Sequence, residues 1–140
     1  MSGDVRTIRV DVFAATRDDL RRFDPIAGPA ATDWPCIDST EWARGLDRLV
    51  VEISGDGRSE FGDHELVFPD HAAGDWEGPW LVRVPDDVVE ALAALSHDEI
   101  IRYADRADLD REILGRVLAL REMCRQARDE RRDLYQWSTE

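Results

Sequence analysis

Leu109–Asp133 reads LDREILGRVLALREMCRQARDERRD. Ile113, Val117, Leu120, Cys124 and Ala127 recur at steps of four, three, four and three, and Leu114 and Leu118 widen the stripe. That is the period of a helix with one buried face. No proline interrupts it, and Gly115 weakens it by only about 1 kcal/mol against alanine. At a rise of roughly 1.5 Å per residue it is the longest rod the chain can form. It cannot bury its stripe alone, so the shorter elements must pack on it.

Outward from this rod, the chain closes with LYQWS, whose alternation predicts a terminal strand. Before it, Ser96 and Glu99 form a capping box that starts a turn of helix at Ile100, Ile101 and Ala104. Asp86 is the expected cap of a helix carrying Val88, Val89, Leu92 and Leu95, and Trp80–Val84 reads as the strand that Pro85 ends. Leu66–Phe68 is a short strand. Residues 58–80 are otherwise irregular, and a loop as long as 69–79 in a compact domain is often functional. Gly55–Asp56–Gly57 is a turn. Asp38 with Glu41, or Ser39 or Thr40 as rival caps, starts a helix bearing Trp42, Leu46, Leu49 and Val50, although LVVEI would also suit a strand. Trp42 reads as a core anchor. Pro25, Gly28, Pro29 and Pro35 mark a loop through 24–37. Thr16 caps a short helix over Arg17–Phe23. Residues 7–13, TIRVDVF, alternate as a half-buried strand, with Ile8, Val10 and Val12 on one side and Thr7, Arg9 and Asp11 on the other. The expected fold is α+β, a single domain over 1–140, with a small, mainly antiparallel sheet against the long helix and shorter ones.

The composition bounds the function. Hydrophobic residues make up 43%, which places the chain among globular proteins. Of 18 basic and 31 acidic residues, every basic one is arginine, and the net charge is −13. Arginine without lysine fits a GC-rich bacterial or phage genome, or a salt-adapted source. The negative field disfavours direct nucleic-acid binding and anionic membranes and favours basic partners. Residues 36–80 carry 3 Arg and 11 acids, which is most of the imbalance. No apolar run approaches the roughly 18 residues that span a bilayer. The start MSGDVRTIRV lacks a signal-peptide core, so a cytoplasmic location is expected.

From Ser39 onward the order of features resembles the YfbM-like bacterial domains, a family of unknown function. The resembling stretches are STEWARGLDRL, WLVRVPDDVVEALAALSHDEI and LALREMCRQARDERRDLYQWS. The resemblance implies an α+β fold and carries no site residue with it. Small domains of this kind often stand near toxin and defence genes, which implies an interaction role.

The candidate chemistry is sparse. Asp63, His64, Glu65, Asp70 and His71 are the densest group of metal-type ligands; two imidazoles and a carboxylate (His64, His71, Asp70) suit zinc or non-haem iron. Their spacing is no known ligand signature, and only a hairpin at Pro69 would join the histidines. Arg121, Arg125, Arg128 and Arg132 form a basic stripe that either binds phosphate or pairs with acids three or four residues away. No G-x-S-x-G, P-loop or dinucleotide fingerprint occurs. Cys124 lies on the apolar stripe, and a bridge to Cys36 is not expected in a reducing cytosol. No catalytic residue and no cofactor are expected.

The glycine-proline loop holds DWEGPW. Trp76 and Trp80, ringed by Asp70, Asp75 and Glu77, are the expected partner-binding residues, since aromatic groups among acids make good anchors. The alternative is that both tryptophans cap the core, in which case the interface lies on the acidic helix near Glu41, Asp47 and Glu52. The expected function is an acidic interaction protein that binds and blocks a basic protein partner, of the immunity, antitoxin or phage counter-defence type. A small metal-dependent hydrolase using His64 and His71, and a subunit of a larger assembly, are the alternatives. A homodimer through the C-terminal helix is a further expectation.

Overall fold

The computed structural model describes residues 9–42, 45–54, 61–69, 76 and 78–139. Five strands form one antiparallel sheet: β1 (Arg9–Ala15), β2 (Cys36–Asp38), β3 (Glu65–Phe68), β4 (Trp80–Arg83) and β5 (Asp133–Thr139), in the order β2-β1-β5-β4-β3. Five helices accompany it: α1 (Arg17–Arg21), α2 (Leu46–Ser54), α3 (Asp86–Ala94), α4 (His97–Ala107) and α5 (Arg111–Glu130). The fold is α+β, as the sequence implies.

The helix α5 is the organising element. Val117, Leu120, Cys124 and Ala127 are buried, while Ile113, Leu114 and Leu118 pack at the margin of the same core. That core joins α5 to α2, α3 and α4 and to Val12 and Leu134 of the central strands. The asparagine-free start of α5 is capped by the Asp110 carboxylate, which accepts from the Ile113 N–H at 2.9 Å.

The opposite face of the sheet is covered too. Phe13, Ala15, Leu81, Tyr135 and Trp137 form a second core with Phe23. Phe13, Phe23 and Trp34 stack with centroids 5.1 to 5.8 Å apart, and the Trp137 indole donates to the Pro25 carbonyl at 2.8 Å. Gly28 lies against this indole. Its φ is +80°, and a Cβ there would stand 2.7 Å from the ring, so only glycine fits.

This second layer corrects two expectations. The first strand is not half-buried: Val10, Asp11, Val12 and Phe13 are all buried, because β1 is an inner strand covered on both faces. Residues 24–37 are not merely a loop. They form a packed cover that includes a 3-10 turn, Pro29–Ala31, and ends in β2, which is registered against β1 at Asp11–Asp38, Val12–Ile37 and Phe13–Cys36.

Smaller differences concern helix starts. Thr16 forms a full capping box with Asp19, and α1 then ends at Arg21 rather than Phe23. Trp42 closes a separate 3-10 turn, Thr40–Trp42, and α2 begins at Leu46, so LVVEI is helical and Trp42 is buried core. Pro85, not Asp86, occupies the cap position of α3, and Asp86 lies in its first turn, where a carboxylate favours the helix dipole. Ser96 and Glu99 cap α4 as expected. Thr7, Ile8 and the Gly55–Gly57 turn lie outside the described residues.

Candidate functional site

The fold sorts charge by element. Residues 81–110, which hold α3 and α4, carry 3 Arg and 8 acids, whereas residues 111–140, which hold α5 and β5, carry 7 Arg and 6 acids. The acidic surface therefore extends beyond 36–80 onto α3 and α4, and α5 has no share in it.

Arg116, Arg121, Arg125 and Arg128 of α5, and Arg132 just after it, point inward or to nearby acids. The last carbonyls of a helix have no partner within it. At the end of α3, Arg121 Nε donates to the Leu95 carbonyl at 2.6 Å and Arg125 Nε to the Ala93 carbonyl at 2.9 Å. Arg116 pairs with Glu112 at 2.6 Å and approaches Asp38 at 4.0 Å. Arg128 pairs with Asp129 at 3.3 Å, and Arg132 with Glu130 at 3.0 Å. In the stripe, pairing with acids is found, but mostly one or two residues away (Arg121–Glu122, Arg128–Asp129, Arg132–Glu130); only Arg125–Glu122, at 4.0 Å, has the expected spacing, and the two innermost arginines serve chiefly as a tertiary cap on α3. Elsewhere, Arg83 bridges Asp86 at 2.8 Å and Asp133 at 3.2 Å.

On the acidic side, Glu41, Asp47, Glu90, Asp98 and Asp105 have no ion-pair partner among the described residues. A groove of about 480 Å³ runs between the Thr40–Trp42 turn and α2, with Glu41, Arg48 and Glu52 on its walls and Trp42 and Leu49 among its apolar lining. Glu52 is anchored from α4: the Tyr103 hydroxyl donates to its Oε2 at 3.1 Å, and Arg106 Nη2 donates to its main-chain carbonyl at 2.9 Å. Burial, first, and the neighbouring Glu52 hold the Tyr103 hydroxyl above its ordinary pKa, so it stays a proton donor. Sequence reading placed Glu41 and Glu52 on an acidic helix but missed Tyr103. Only its position three residues after Ile100, on the same face of α4, hinted that it faces the core.

Of the expected partner-binding residues, Asp70, Asp75 and Glu77 lie outside the described residues. Trp76 and Trp80 are both half-buried. The Trp76 ring stands edge-on to Phe68, centroids 5.8 Å apart, and its indole donates to the Pro79 carbonyl at 3.0 Å. Trp80 lies over Gly78, whose φ is +100° and where a Cβ would come within 2.6 Å of the ring. Each tryptophan is thus held on one side and partly exposed.

Of the metal candidates, His71 and Asp70 lie outside the described residues. His64 Nε2 is buried and has no hydrogen-bond partner, while Asp63 and Glu65 beside it are exposed. Among the described residues no three His, Cys, Asp or Glu side chains come together as a metal site. Cys124 is fully buried, which pushes its thiol up to about 12 and makes it a poor nucleophile. Cys36 is exposed, and both cysteines are free. No helix among the described residues is long and apolar enough to cross a membrane. No protein-family model, no curated protein and no solved structure matches this chain.

Proposed function

We propose that the chain is an acidic, non-enzymatic interaction protein that binds a basic protein partner and blocks that partner's cationic surface, in the manner of an immunity protein, an antitoxin or a phage counter-defence protein. One observation carries the reading. Arg116, Arg121, Arg125 and Arg128 of α5 are held by carbonyls and carboxylates of the chain itself, whereas Glu41, Asp47, Glu90, Asp98 and Asp105, on the Thr40–Trp42 turn and on α2, α3 and α4, have no ion-pair partner among the described residues. A cation from outside is the charge this surface lacks. Such a field accelerates encounter and selects against acidic competitors. The exposed parts of Trp76 and Trp80, with Asp70, Asp75 and Glu77 in the same stretch, are the proposed apolar anchor. In this reading the protein works in the cytoplasm as a soluble domain.

The test is affinity capture from the host lysate at low and high salt. A basic partner that is retained at roughly 50 mM salt and released as salt rises through about 0.2 M supports the reading, because exposed charge pairs are screened over that range. Recovery of no basic protein at low salt overturns it.

A further inference from the structure

We infer that the basic partner docks on the outer edge of β3: an extended segment of the partner, with basic and apolar side chains in alternation, adds to the sheet there as a further strand. This deepens the function proposed above and rests on it.

Three observations lead there. First, β3 ends the sheet and, among the described residues, is hydrogen-bonded to β4 alone, so its outer main-chain N–H and C=O groups are unpaired. The register shifts between Leu66 and Phe68, so the regular part of this edge is its Glu65–Leu66 end. Second, the cover on the helical face thins toward the same edge. Val12, Gln136, Val82 and Leu66 are successive cross-strand neighbours and share that face. Val12 is 0% exposed and Gln136 7%, whereas Leu66, at 39%, is one of two exposed large apolar side chains among the described residues. Third, His64 Nε2, Arg83 Nε and Gln136 Oε1 are the buried side-chain atoms that lack a hydrogen-bond partner among the described residues. All three lie on or just before β3, β4 and β5. Gln136 is more than nine-tenths buried, and folds rarely leave such an amide unmet. The unfinished side of the sheet is therefore the β3 side.

Charge names the occupant. Glu65 stands opposite Arg83, on the other face of the strand from Leu66. Arg83 is committed to Asp86 at 2.8 Å and Asp133 at 3.2 Å, and Glu65 and its neighbour Asp63 have no ion-pair partner among the described residues. A strand laid along β3 thus meets a carboxylate on one face and an apolar side chain on the other. Basic and apolar residues in alternation match that period of two, while the paired main chains supply affinity. The opposite edge makes no such demand. On β2, Asp38 accepts from the Thr40 hydroxyl at 2.6 Å and approaches Arg116 at 4.0 Å, and Ile37 packs on the helical core.

The experiment is an NMR titration of the isotope-labelled chain with the capped pentapeptide Val-Arg-Val-Arg-Val and two N-methylated forms of it. Alternate N–H groups of a strand point to opposite edges, so methylating the valine nitrogens blocks one edge and methylating the arginine nitrogens the other. The plain peptide should shift the Glu65 and Leu66 amides in a dose-dependent way. One methylated form should bind about tenfold more weakly or worse, the scale of two lost hydrogen bonds, and the other should bind as the plain peptide does. Leu66→Arg, which sets a like charge on the edge, should weaken binding at least about fivefold, and Glu65→Gln about threefold. Ile26→Arg, at the other exposed apolar side chain, should leave it unchanged. Each variant is checked for the wild-type fold by its amide spectrum. Equal behaviour of the two methylated forms overturns the inference, as does a loss with Ile26→Arg as large as with Leu66→Arg, or no shift at Glu65 and Leu66 at millimolar peptide. If a basic partner is captured and Leu66→Arg binds it as the wild type does, the β3 assignment fails while the acidic-interaction reading stands. If the peptide adds to β3 but no basic partner is recovered at low salt, the reverse holds.

Discussion

Replacing Arg121 with methionine removes one guanidinium and keeps most of the side-chain volume. In the native protein Arg121 is only 13% exposed, and its Nε donates to the Leu95 carbonyl at 2.6 Å. Leu95 is itself buried, so water cannot replace the lost donor freely. A hydrogen bond to a charged group contributes about 1.5–3 kcal/mol, and the favourable meeting of a cation with a helix C-terminus is part of that figure. The contact with Glu122 at 3.1 Å is on the surface and adds little, about 0–1 kcal/mol. The expected loss is therefore about 2 kcal/mol, or a fall in Tm of roughly 8 °C for a domain of this size. Urea unfolding followed by tryptophan fluorescence reads it. Arg128→Met is the control: Arg128 meets only Asp129, on the surface, and its loss should cost under about 0.5 kcal/mol. If Arg121→Met were as mild as Arg128→Met, Arg121 would not be committed to the end of α3. Its charge would then be available to outside ligands, and the sorting of charge on which the proposed function rests would fail.

Further outcomes follow from the same packing. Leu120, fully buried where α5 meets the rest of the core, should lose about 2–5 kcal/mol on truncation to alanine, seen as a lower urea midpoint. Arg131 ends α5 at φ +57°, a left-handed conformation that costs a side-chain-bearing residue about 1 kcal/mol, so Arg131→Gly should raise stability by up to that amount in the same assay. A thiol reagent at about pH 8 should label the native protein once, at Cys36, and twice only after denaturation, because burial holds the Cys124 thiol far above its ordinary range; mass spectrometry counts the adducts. Asp19 and Asp38 are held below the ordinary carboxylate value of 3.8, Asp19 by the Thr16 backbone N–H and then its hydroxyl, Asp38 chiefly by the Thr40 hydroxyl. A lowered folded pKa stabilises above the unfolded value and is lost as pH falls through the folded one, so Asp19→Asn with Asp38→Asn should flatten the loss of stability below about pH 4.

What the chain discloses about its fold depends on how local the cause is. The α5 stripe, the Ser96–Glu99 box and the Thr16 cap are decided within four residues, and each is found where its spacing places it. Elements decided by tertiary contacts are harder to read. Cys36–Asp38 has no strand pattern of its own; it becomes β2 because β1 offers it an unpaired edge and Ile37 packs on the helical core. The residues from Phe23 to Trp34 look like a proline-broken loop, yet Phe23 and Trp34 stack on Phe13 and make that stretch the second wall of the sheet. This wall also explains why the alternation at β1 misleads. Asp11 marks a solvent face in sequence, but in the structure it is buried, with Arg9 Nε at 3.1 Å as its cation.

The candidate site is less legible for a related reason. Counting acids locates negative charge, but a carboxylate attracts a partner only if nothing in the fold has already neutralised it, and neutralisation is a long-range event. Asp133 belongs to a stretch rich in arginine, yet its cation is Arg83, fifty positions away on the neighbouring strand. Glu52 belongs to the acidic middle of the chain, and its anchor is a hydroxyl from α4, fifty-one positions away. Conversely, the arginine stripe of α5 looks like a ligand-binding ridge until Leu95 and Ala93 are seen beneath it. The free acids are therefore a property of the folded charge pattern, and among the described residues Glu41, Asp47, Glu90, Asp98 and Asp105 lie on the Thr40–Trp42 turn and on α2, α3 and α4. Under the proposed function, a basic partner is drawn to that surface by its charge, and the part-buried tryptophans of the 76–80 stretch add apolar contact.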